Sequence, residues 1–375
     1  MGSNNRNKPC WCGSGKKHKK CHLIREELNP LTRGDLEGYA KKQTSKKVCS
    51  VNNLFPDDCS RKIINAHTIS KSGSLKEISE DGHVMGAKPS LSGLIKSNGK
   101  LGLEKVGIKK ASTFTGFCSV HDKGIFAPIE DEAITLNDHQ LFLLAYRGMC
   151  REIYHKEQNK GTAELMREAD RGQNEMMQQY LQGQANSFGK GVDLALRDLR
   201  HLKSEMDSIL INSDYSKIKH CVFELSEVPK ILVSAMVIPE MDFHGNALQK
   251  LGLQDEAYDY IFFNCISYED QGCFVFSWLT EHDEHCSRFI ESLLDLNDDQ
   301  VADAIVRFCY SFSENTWASP SWWESLVKPS QESIGDRLIQ GTPLAMHPVD
   351  CLKDDHHRFN AMKISKRELR THEKT

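Results

Sequence analysis

The sequence predicts an α+β protein assembled from several small parts. Three observations lead to this class: clustered Cys and His residues in the first third, an apolar heptad pattern in the middle, and strand-like runs followed by helical ones after it. The 375 residues suffice for two or three domains. We expect a Cys/His knuckle over 1–25, a polar linker over 26–50, a basic Cys/His domain over 51–134, a helical region over 135–212, an α+β domain over 213–345 and a polar tail over 346–375.

The charge is divided unevenly along the chain. The formal net charge is −4, but residues 1–124 carry +12 and residues 125–375 carry −16. A basic segment attracts polyanions, which predicts nucleic acid or an acidic protein surface as a partner. No apolar run approaches the roughly 18 residues that span a bilayer, and residues 1–10 do not resemble a signal peptide. We therefore expect a cytoplasmic protein without membrane contact, in which clustered cysteines bind metal rather than form disulfides.

The first cluster consists of Cys10-x-Cys12 and, eight residues later, Cys21-His22. Three thiols and one imidazole within thirteen positions are the donor set of a structural Cys₃His zinc site. A segment this short has no core of its own, so the bound metal would supply its folding energy. The cluster therefore predicts one Zn²⁺ ion.

These residues, together with the Gly-Ser-Gly-Lys-Lys run between them, resemble the SEC-C motif. This small zinc-binding module is best known from the C-terminal tail of the SecA translocation ATPase and occurs on many other bacterial proteins. The resemblance implies that Cys10, Cys12, Cys21 and His22 bind one zinc ion. It implies no translocation activity, because no ATPase follows. We expect the lysines of the module to contact phosphate or an acidic partner: Lys16, Lys17, Lys19 and Lys20.

A second constellation consists of Cys59, His67, Cys118 and His121. The Cys118-x₂-His121 pair has the spacing of two ligands on one metal ion, which gives a second zinc site in a domain similar to a treble clef. A second interpretation is a set of buried cysteines and hydrogen-bonded histidines without metal, since free Cys is a common core residue. The spacing alone leaves both open.

A third interpretation of the same region is catalytic. The cysteine, the histidine after a strand-like run and the later Cys-x₂-His loosely resemble HNH nucleases, some of which act in bacterial defence. The resemblance implies His67 as general base and His83 as a metal ligand or second polar contact. Asp58 or Asp122 would lie near an Mg²⁺ or Mn²⁺ ion. The central Asn and second metal-binding His of that family are not recognisable here.

The acidic part of the chain begins with helical patterns. The clearest helical pattern lies over 188–209, where apolar residues recur at alternating steps of four and three: Phe188, Val192, Ala195, Leu199, Leu202, Met206 and Ile209. This seam indicates either an antiparallel helical hairpin or a homodimeric coiled coil. The second alternative makes the protein a dimeric scaffold.

Residues 213–345 alternate strand and helix signals. Strands are predicted over 219–224, 230–238, 260–268 and 272–279, and helices over 282–295, 298–312 and 330–340. Gly272 is placed for a hairpin turn between the last two strands. His282, His285 and Cys286 are more typical of a helix start than of a metal site. This half contains no Ser/His/Asp elbow, dinucleotide fingerprint or kinase motif, so it identifies no reaction.

Overall fold

The computed structural model describes residues 6–44, 46–87, 101–252, 256–340 and 346–371, with only the backbone described for 40–44. It mixes helices with an antiparallel sheet, so the predicted α+β class is confirmed. The described helices are α1 (Arg33–Thr44), α2 (Ser74–Ile78), α3 (Ser119–Glu130), α4 (Asp138–Glu168), α5 (Glu175–Asn212), α6 (Asp283–Leu294), α7 (Asp298–Phe312), α8 (Pro320–Ser325) and α9 (Lys328–Arg337).

The described strands are β1 (Ile63–His67), β2 (His83–Ala87), β3 (Leu103–Gly107), β4 (Thr113–Cys118), β5 (Ile218–Leu225), β6 (Ile231–Val237), β7 (Ile261–Tyr268), β8 (Gln271–Leu279), β9 (Thr316–Ala318) and β10 (Ile364–Arg370). Strands β1 and β4 pair with each other as a two-stranded antiparallel sheet. The other eight form one antiparallel sheet in the order β10-β5-β8-β7-β6-β9-β2-β3.

The chain divides into two compact units. The first consists of Met1–Lys47, Ile153–Leu202 and Gly252–Asp255, and the second of Val48–Glu152, Lys203–Leu251 and Glu256–Thr375. Both sheets belong to the second unit. Within the described residues, no helix combines the length and the apolar composition that crossing a membrane requires.

The eight-stranded sheet of the second unit carries the largest apolar core. Helices α6 and α7 pack on it, and four rings meet there: the ring centroids of Phe263 and Phe308 are 4.6 Å apart, those of Phe289 and Phe308 5.2 Å, and those of Phe276 and Phe308 5.6 Å. Both helices have strongly one-sided apolar faces, which is why they cover a sheet.

The sheet combines segments that the sequence analysis places in different domains. Strands β2 and β3 come from the predicted Cys/His domain, yet β2 pairs with β9, whose other neighbour is β6. This differs from separate domains over 51–134 and 213–345. The three-residue strand β9 is too short to give a period-two pattern, so the sequence offers no sign of this connection.

The hairpin between β7 and β8 has a different turn from the expected one. Tyr268 pairs with Gln271, so the loop consists of Glu269 and Asp270 alone, with φ of +49° and +61°. Two central residues with positive φ define a type I′ turn. Gly272 lies in β8 instead, where a Cβ atom would approach the Ile266 carbonyl oxygen to 2.6 Å. Gly272 therefore serves close packing, not the turn.

Residues 346–375 are not simply the expected polar tail. Residues 364–370 form β10 at the edge of the sheet, paired with β5. Its side chains are mostly polar because charged edge strands resist pairing with other chains. Arg367 holds the strand through the carbonyls of Leu294 and Leu296 and an ion pair with Asp298.

The apolar seam of α5 is already covered in the single chain. Five of its seven members are buried, as is the adjacent Leu196. The buried members are Val192, Leu199, Leu202, Met206 and Ile209. This burial fits the helical-hairpin interpretation, whereas a coiled-coil dimer through 188–209 requires the same face to be free.

Candidate metal centres

The first Cys/His group lies in the first unit, on a tight loop. The ligand atoms of Cys10, Cys12, Cys21 and His22 all lie within 4.8 Å of one another. The loop reverses at Gly13 and Gly15, which have φ of +76° and +70°. Two short 3₁₀ turns, His18–Lys20 and His22–Ile24, then bring the second ligand pair back to the first.

His22 has a defined tautomer in this group. Its Nε2 donates a hydrogen bond to the Asp170 carboxylate at 2.9 Å, because a carboxylate can only accept. Its Nδ1 therefore carries the lone pair, and it lies 3.2 Å from Cys10 Sγ and 3.3 Å from Cys21 Sγ. A metal-binding histidine whose second nitrogen donates to a carboxylate is the usual arrangement in protein metal sites.

Asp170 is fully buried in the turn between α4 and α5. Besides His22, it accepts hydrogen bonds from Arg25 Nε and from Gln182 Nε2. The backbone N–H of Gly172 also donates to the Arg25 carbonyl at 2.8 Å. The knuckle is thus fixed to the helical turn by side-chain and backbone contacts, in contrast to a freely moving tail.

The second group lies in the second unit and contains Cys49, Cys59, Cys118 and His121, again with all ligand atoms within 4.8 Å. Cys118 is the N-cap of α3, and its Sγ accepts a hydrogen bond from the His121 backbone N–H. Cys49 lies on a segment that pairs with β4 through Ser50 N–H and the Gly116 carbonyl. The group therefore joins a knuckle before β1 to the start of the helix after β4.

The structure corrects one predicted ligand of this group. His67 is not a member, because its Nε2 donates to the Ile108 carbonyl at 3.0 Å, and Cys49 supplies the fourth donor. The sequence analysis missed Cys49 because it assigned residues 26–50 to a polar linker. The sequence did contain a signal, since Cys49 and Cys59 form a pair before β1, and Cys118 and His121 form a second pair where β4 ends and α3 begins.

The histidines of the two groups differ in their outer contacts. His121 Nδ1 lies 3.2 Å from Cys49 Sγ, while its buried Nε2 has no hydrogen-bond partner among the described residues. The ring of Phe55 packs beside it, with centroids 5.9 Å apart. In the described part of the chain, no carboxylate contacts His121 as Asp170 contacts His22.

In both groups, burial raises the pKa of at least one thiol well above its ordinary value. Burial raises the pKa of Cys118, but the His121 N–H and Ser60 hydrogen bonds outweigh it and bring this pKa down to about 6. Burial, with the charge of Cys118 nearby, raises the pKa of Cys49 to about 11. Burial likewise raises the pKa of Cys21 to about 11. Crowded thiolates repel each other, so a cation among them would stabilise the full set.

Other predicted site residues lie apart from these groups. His83 is exposed on β2, and its Nδ1 contacts the Asp81 carbonyl at 2.8 Å. His285 Nδ1 lies 2.6 Å from the Asp259 carboxylate, and His282 accepts from the Tyr260 N–H. Within the described ranges none of these three histidines belongs to a group with the spacing of metal ligands.

His67 lines a cavity of about 230 Å³ at the end of β1. Asp122, Glu130 and Arg147 line it as well, together with Lys71 and Lys123. The buried Arg147 guanidinium is ion-paired with Glu130 and lies 3.2 Å from Asp122. Burial raises the pKa of Asp122 despite this pairing and lowers the pKa of His67. His67 and Asp122 lie far apart in the sequence, and the pairing of β1 with β4, which leads into α3, brings them to the same cavity.

The geometry of the first group is that of a small Cys₃His knuckle, with four donor atoms close enough together to hold one metal ion. Within this class, residues 6–23 match the SEC-C motif, which confirms the resemblance seen in the sequence. The match covers the knuckle alone. No curated protein and no solved structure matches the chain.

The contact between His22 and Asp170 gives a testable prediction. Asp170→Asn keeps an acceptor but removes the negative charge that orients His22 and pairs with Arg25. We expect the affinity of the first group for metal to fall about 10- to 100-fold, the usual effect of losing an outer-shell partner. Competition with a chromophoric chelator measures it. Asp193→Asn, at an exposed carboxylate on α5, is the matched control, and equal affinity for the two variants would contradict the prediction.

Proposed function

We propose that both Cys/His groups hold Zn²⁺ in a structural role. Each offers three thiols and one imidazole, the donor set typical of structural zinc. Four protein donors leave no coordination position for water, which distinguishes a structural ion from a catalytic one. In the second group the ion would join Cys49 and Cys59 to the start of α3, which positions that helix against β1 and β4.

Metal content tests this proposal. We expect two zinc ions per wild-type chain by mass spectrometry or elemental analysis, and one ion in Cys118→Ser or Cys12→Ser, because each substitution removes one thiolate ligand. Cys150→Ala is the control, since this buried thiol lies outside both groups. One ion in both the wild type and Cys118→Ser would refute zinc in the second group.

We further propose that the first unit docks nucleic acid through the lysines of the knuckle. The observation that carries this proposal is their placement on an anchored module. Lys16, Lys17 and Lys20 are exposed, Lys19 is half-buried, and within the described part of the chain none of the four forms an ion pair. Unpaired cations on a rigid scaffold bind phosphates without first breaking an internal ion pair.

The phosphate contacts predict a dependence on salt. Lys16→Glu with Lys17→Glu should weaken binding to a DNA or RNA duplex at least tenfold at low ionic strength. The slope of log affinity against log salt should fall by about 0.9 for each lost contact with B-DNA. The control is Lys250→Glu with Lys328→Glu, which makes the same charge change at exposed sites elsewhere. If the wild type binds no nucleic acid at low salt, this proposal fails and an acidic protein surface becomes the expected partner.

A second candidate function, nuclease activity, is favoured by the tautomer of His67. The Ile108 carbonyl can only accept, so His67 Nε2 carries the proton and Nδ1 keeps a lone pair. Burial lowers the pKa of His67, which keeps the ring neutral at pH 7. A neutral imidazole in a cavity that Lys71 also lines can take a proton from water beside a phosphodiester whose charge this lysine partly offsets.

Whether nuclease activity would depend on Mg²⁺ or Mn²⁺ is part of the test of this candidate function. In the described residues His67, Asp122 and Glu130 do not form a group with the spacing of metal ligands, and Arg147 engages both carboxylates. The Arg147 guanidinium thus already supplies positive charge beside both carboxylates.

We expect purified protein to cut nucleic acid, and His67→Ala to abolish cutting while both zinc ions stay bound. The rate should rise with pH through the lowered pKa of His67, below 6.5, and level off by neutral pH, because the neutral ring is the base. His83→Ala, at an exposed histidine outside the cavity, is the control. Reactions with and without Mg²⁺ or Mn²⁺ show whether a divalent ion takes part, and equal rates for wild type and His67→Ala would exclude the base role.

A further inference from the structure

An aromatic side chain lies exposed within the first Cys/His group. Trp11 stands between the ligands Cys10 and Cys12, and 37% of its surface is exposed. The other four tryptophans of the chain are buried or half-buried. Tryptophan contributes a large contact area where a protein binds a partner, so an exposed ring on a small module is a candidate contact.

Trp11 has a fixed position on the knuckle of this group. Its ring packs on the imidazole of His22, with the ring centroids 4.3 Å apart, and His22 is itself held by Asp170. The Gly13 N–H donates to the Cys10 carbonyl at 3.2 Å, so the backbone forms a tight turn with Trp11 at its first corner. A ring that is already fixed loses little freedom when a ligand stacks on it.

The space beside this turn is open. A Cβ atom at Gly13 or Gly15 would meet no atom within 4 Å other than those of its chain neighbours. A ligand can therefore approach the loop over 11–15 without displacing other parts of the protein.

The segment around Trp11 carries positive charge alone. Residues 6–23 contain six Lys and Arg residues and no Asp or Glu. Two arms of this segment lie side by side, because the His18 N–H donates to the Lys8 carbonyl and the Lys19 N–H to the Arg6 carbonyl, both at 2.9 Å. None of the six cations forms an ion pair with another described residue. The fold thus gathers six available cations around one exposed ring.

This combination matches the chemistry of an unpaired nucleotide. Phosphates satisfy the cations, and the face of a base stacks on an aromatic ring, as is usual in proteins that bind single strands. In a duplex the faces of the bases are covered by their neighbours in the stack, so a side chain on the protein surface cannot reach them.

We propose that the knuckle binds single-stranded nucleic acid, with the ring of Trp11 stacked on one unpaired base and the cations of residues 6–23 on the flanking phosphates. This inference rests on the proposed docking of nucleic acid and adds the kind of strand that is bound. It gives Trp11 a role that neither metal binding nor phosphate contact requires.

Two oligonucleotides of equal charge test the proposal on the full-length protein. One is a short oligothymidylate, and the other has the same length with abasic sites in place of the bases. In fluorescence anisotropy at low ionic strength, the wild type should bind the base-bearing strand at least about tenfold more tightly. Trp11→Leu should bind both strands equally, because leucine keeps an apolar contact with His22 but has no aromatic face. Trp11→Phe, which keeps a ring, should retain a preference for the base-bearing strand.

The dependence on salt separates stacking from phosphate contact. Trp11→Leu should leave the slope of log affinity against log salt unchanged, whereas Lys16→Glu with Lys17→Glu should lower it for both strands. Tyr180→Leu is the matched control, since it removes an exposed ring on α5 outside the basic segment, and it should leave both affinities unchanged. Metal content and Tm equal to those of the wild type show that Trp11→Leu keeps its fold.

The possible failures are distinguishable. Equal binding of the two oligonucleotides by the wild type, or an undiminished preference in Trp11→Leu, would overturn the stacking role and leave the docking of nucleic acid in place. If the wild type binds neither oligonucleotide nor a duplex, the proposed function fails and this inference fails with it. The comparison of the two strands uses the wild type alone, so it decides the question even where a variant is unstable.

Discussion

The hydrogen bond from His22 to Asp170 attaches the Cys/His knuckle of the first unit to the helices of the same unit. It joins a ligand of the Cys/His group to a carboxylate that is buried in the turn between α4 and α5. Arg25 forms an ion pair with that carboxylate, so the buried negative charge of Asp170 does not stand without a counter-charge. Because of this bond, a module too small to have a core shares the packing of a helical hairpin, and its lysines have a fixed position.

The two Cys/His groups use the same donors but close loops of very different length. In the first group Cys10 and His22 are 12 residues apart, while in the second Cys49 and His121 are 72 residues apart. The entropic cost of closing a loop grows with its length, so a cross-link at the second group removes more freedom from the unfolded chain. The second ion would therefore contribute more to the stability of its unit, although His121 Nε2 has no hydrogen-bond partner among the described residues.

Local signals predict much of this molecule, and long-range pairing explains most of what they miss. The four ligands of the first group lie within one short run, so their spacing alone identifies them. The strands of the β7–β8 hairpin and helices α6 and α7 were also predictable, because periodicity is a local property. Cys49 and the β2–β9 pairing could not be found in this way, since each depends on residues far apart in the chain. Ser234 and Asn264 likewise look like ordinary polar residues in apolar strands until the register of β6 and β7 places them side by side.

The position of β9 in the sheet has a consequence for the order in which the protein folds. Strands β2 and β3 are synthesised early, but their place in the sheet depends on Met85 and Gly86 pairing with Ala318 and Trp317. Until the ribosome has made that short strand, the β2 edge has no partner in the sheet and is exposed to wrong pairings. Non-local pairing of this kind folds slowly. The early part of the second unit is therefore the segment whose biogenesis most needs protection. A metal ion in the Cys49–His121 group would cross-link this segment before β9 exists, because all four ligands precede β9 in the chain.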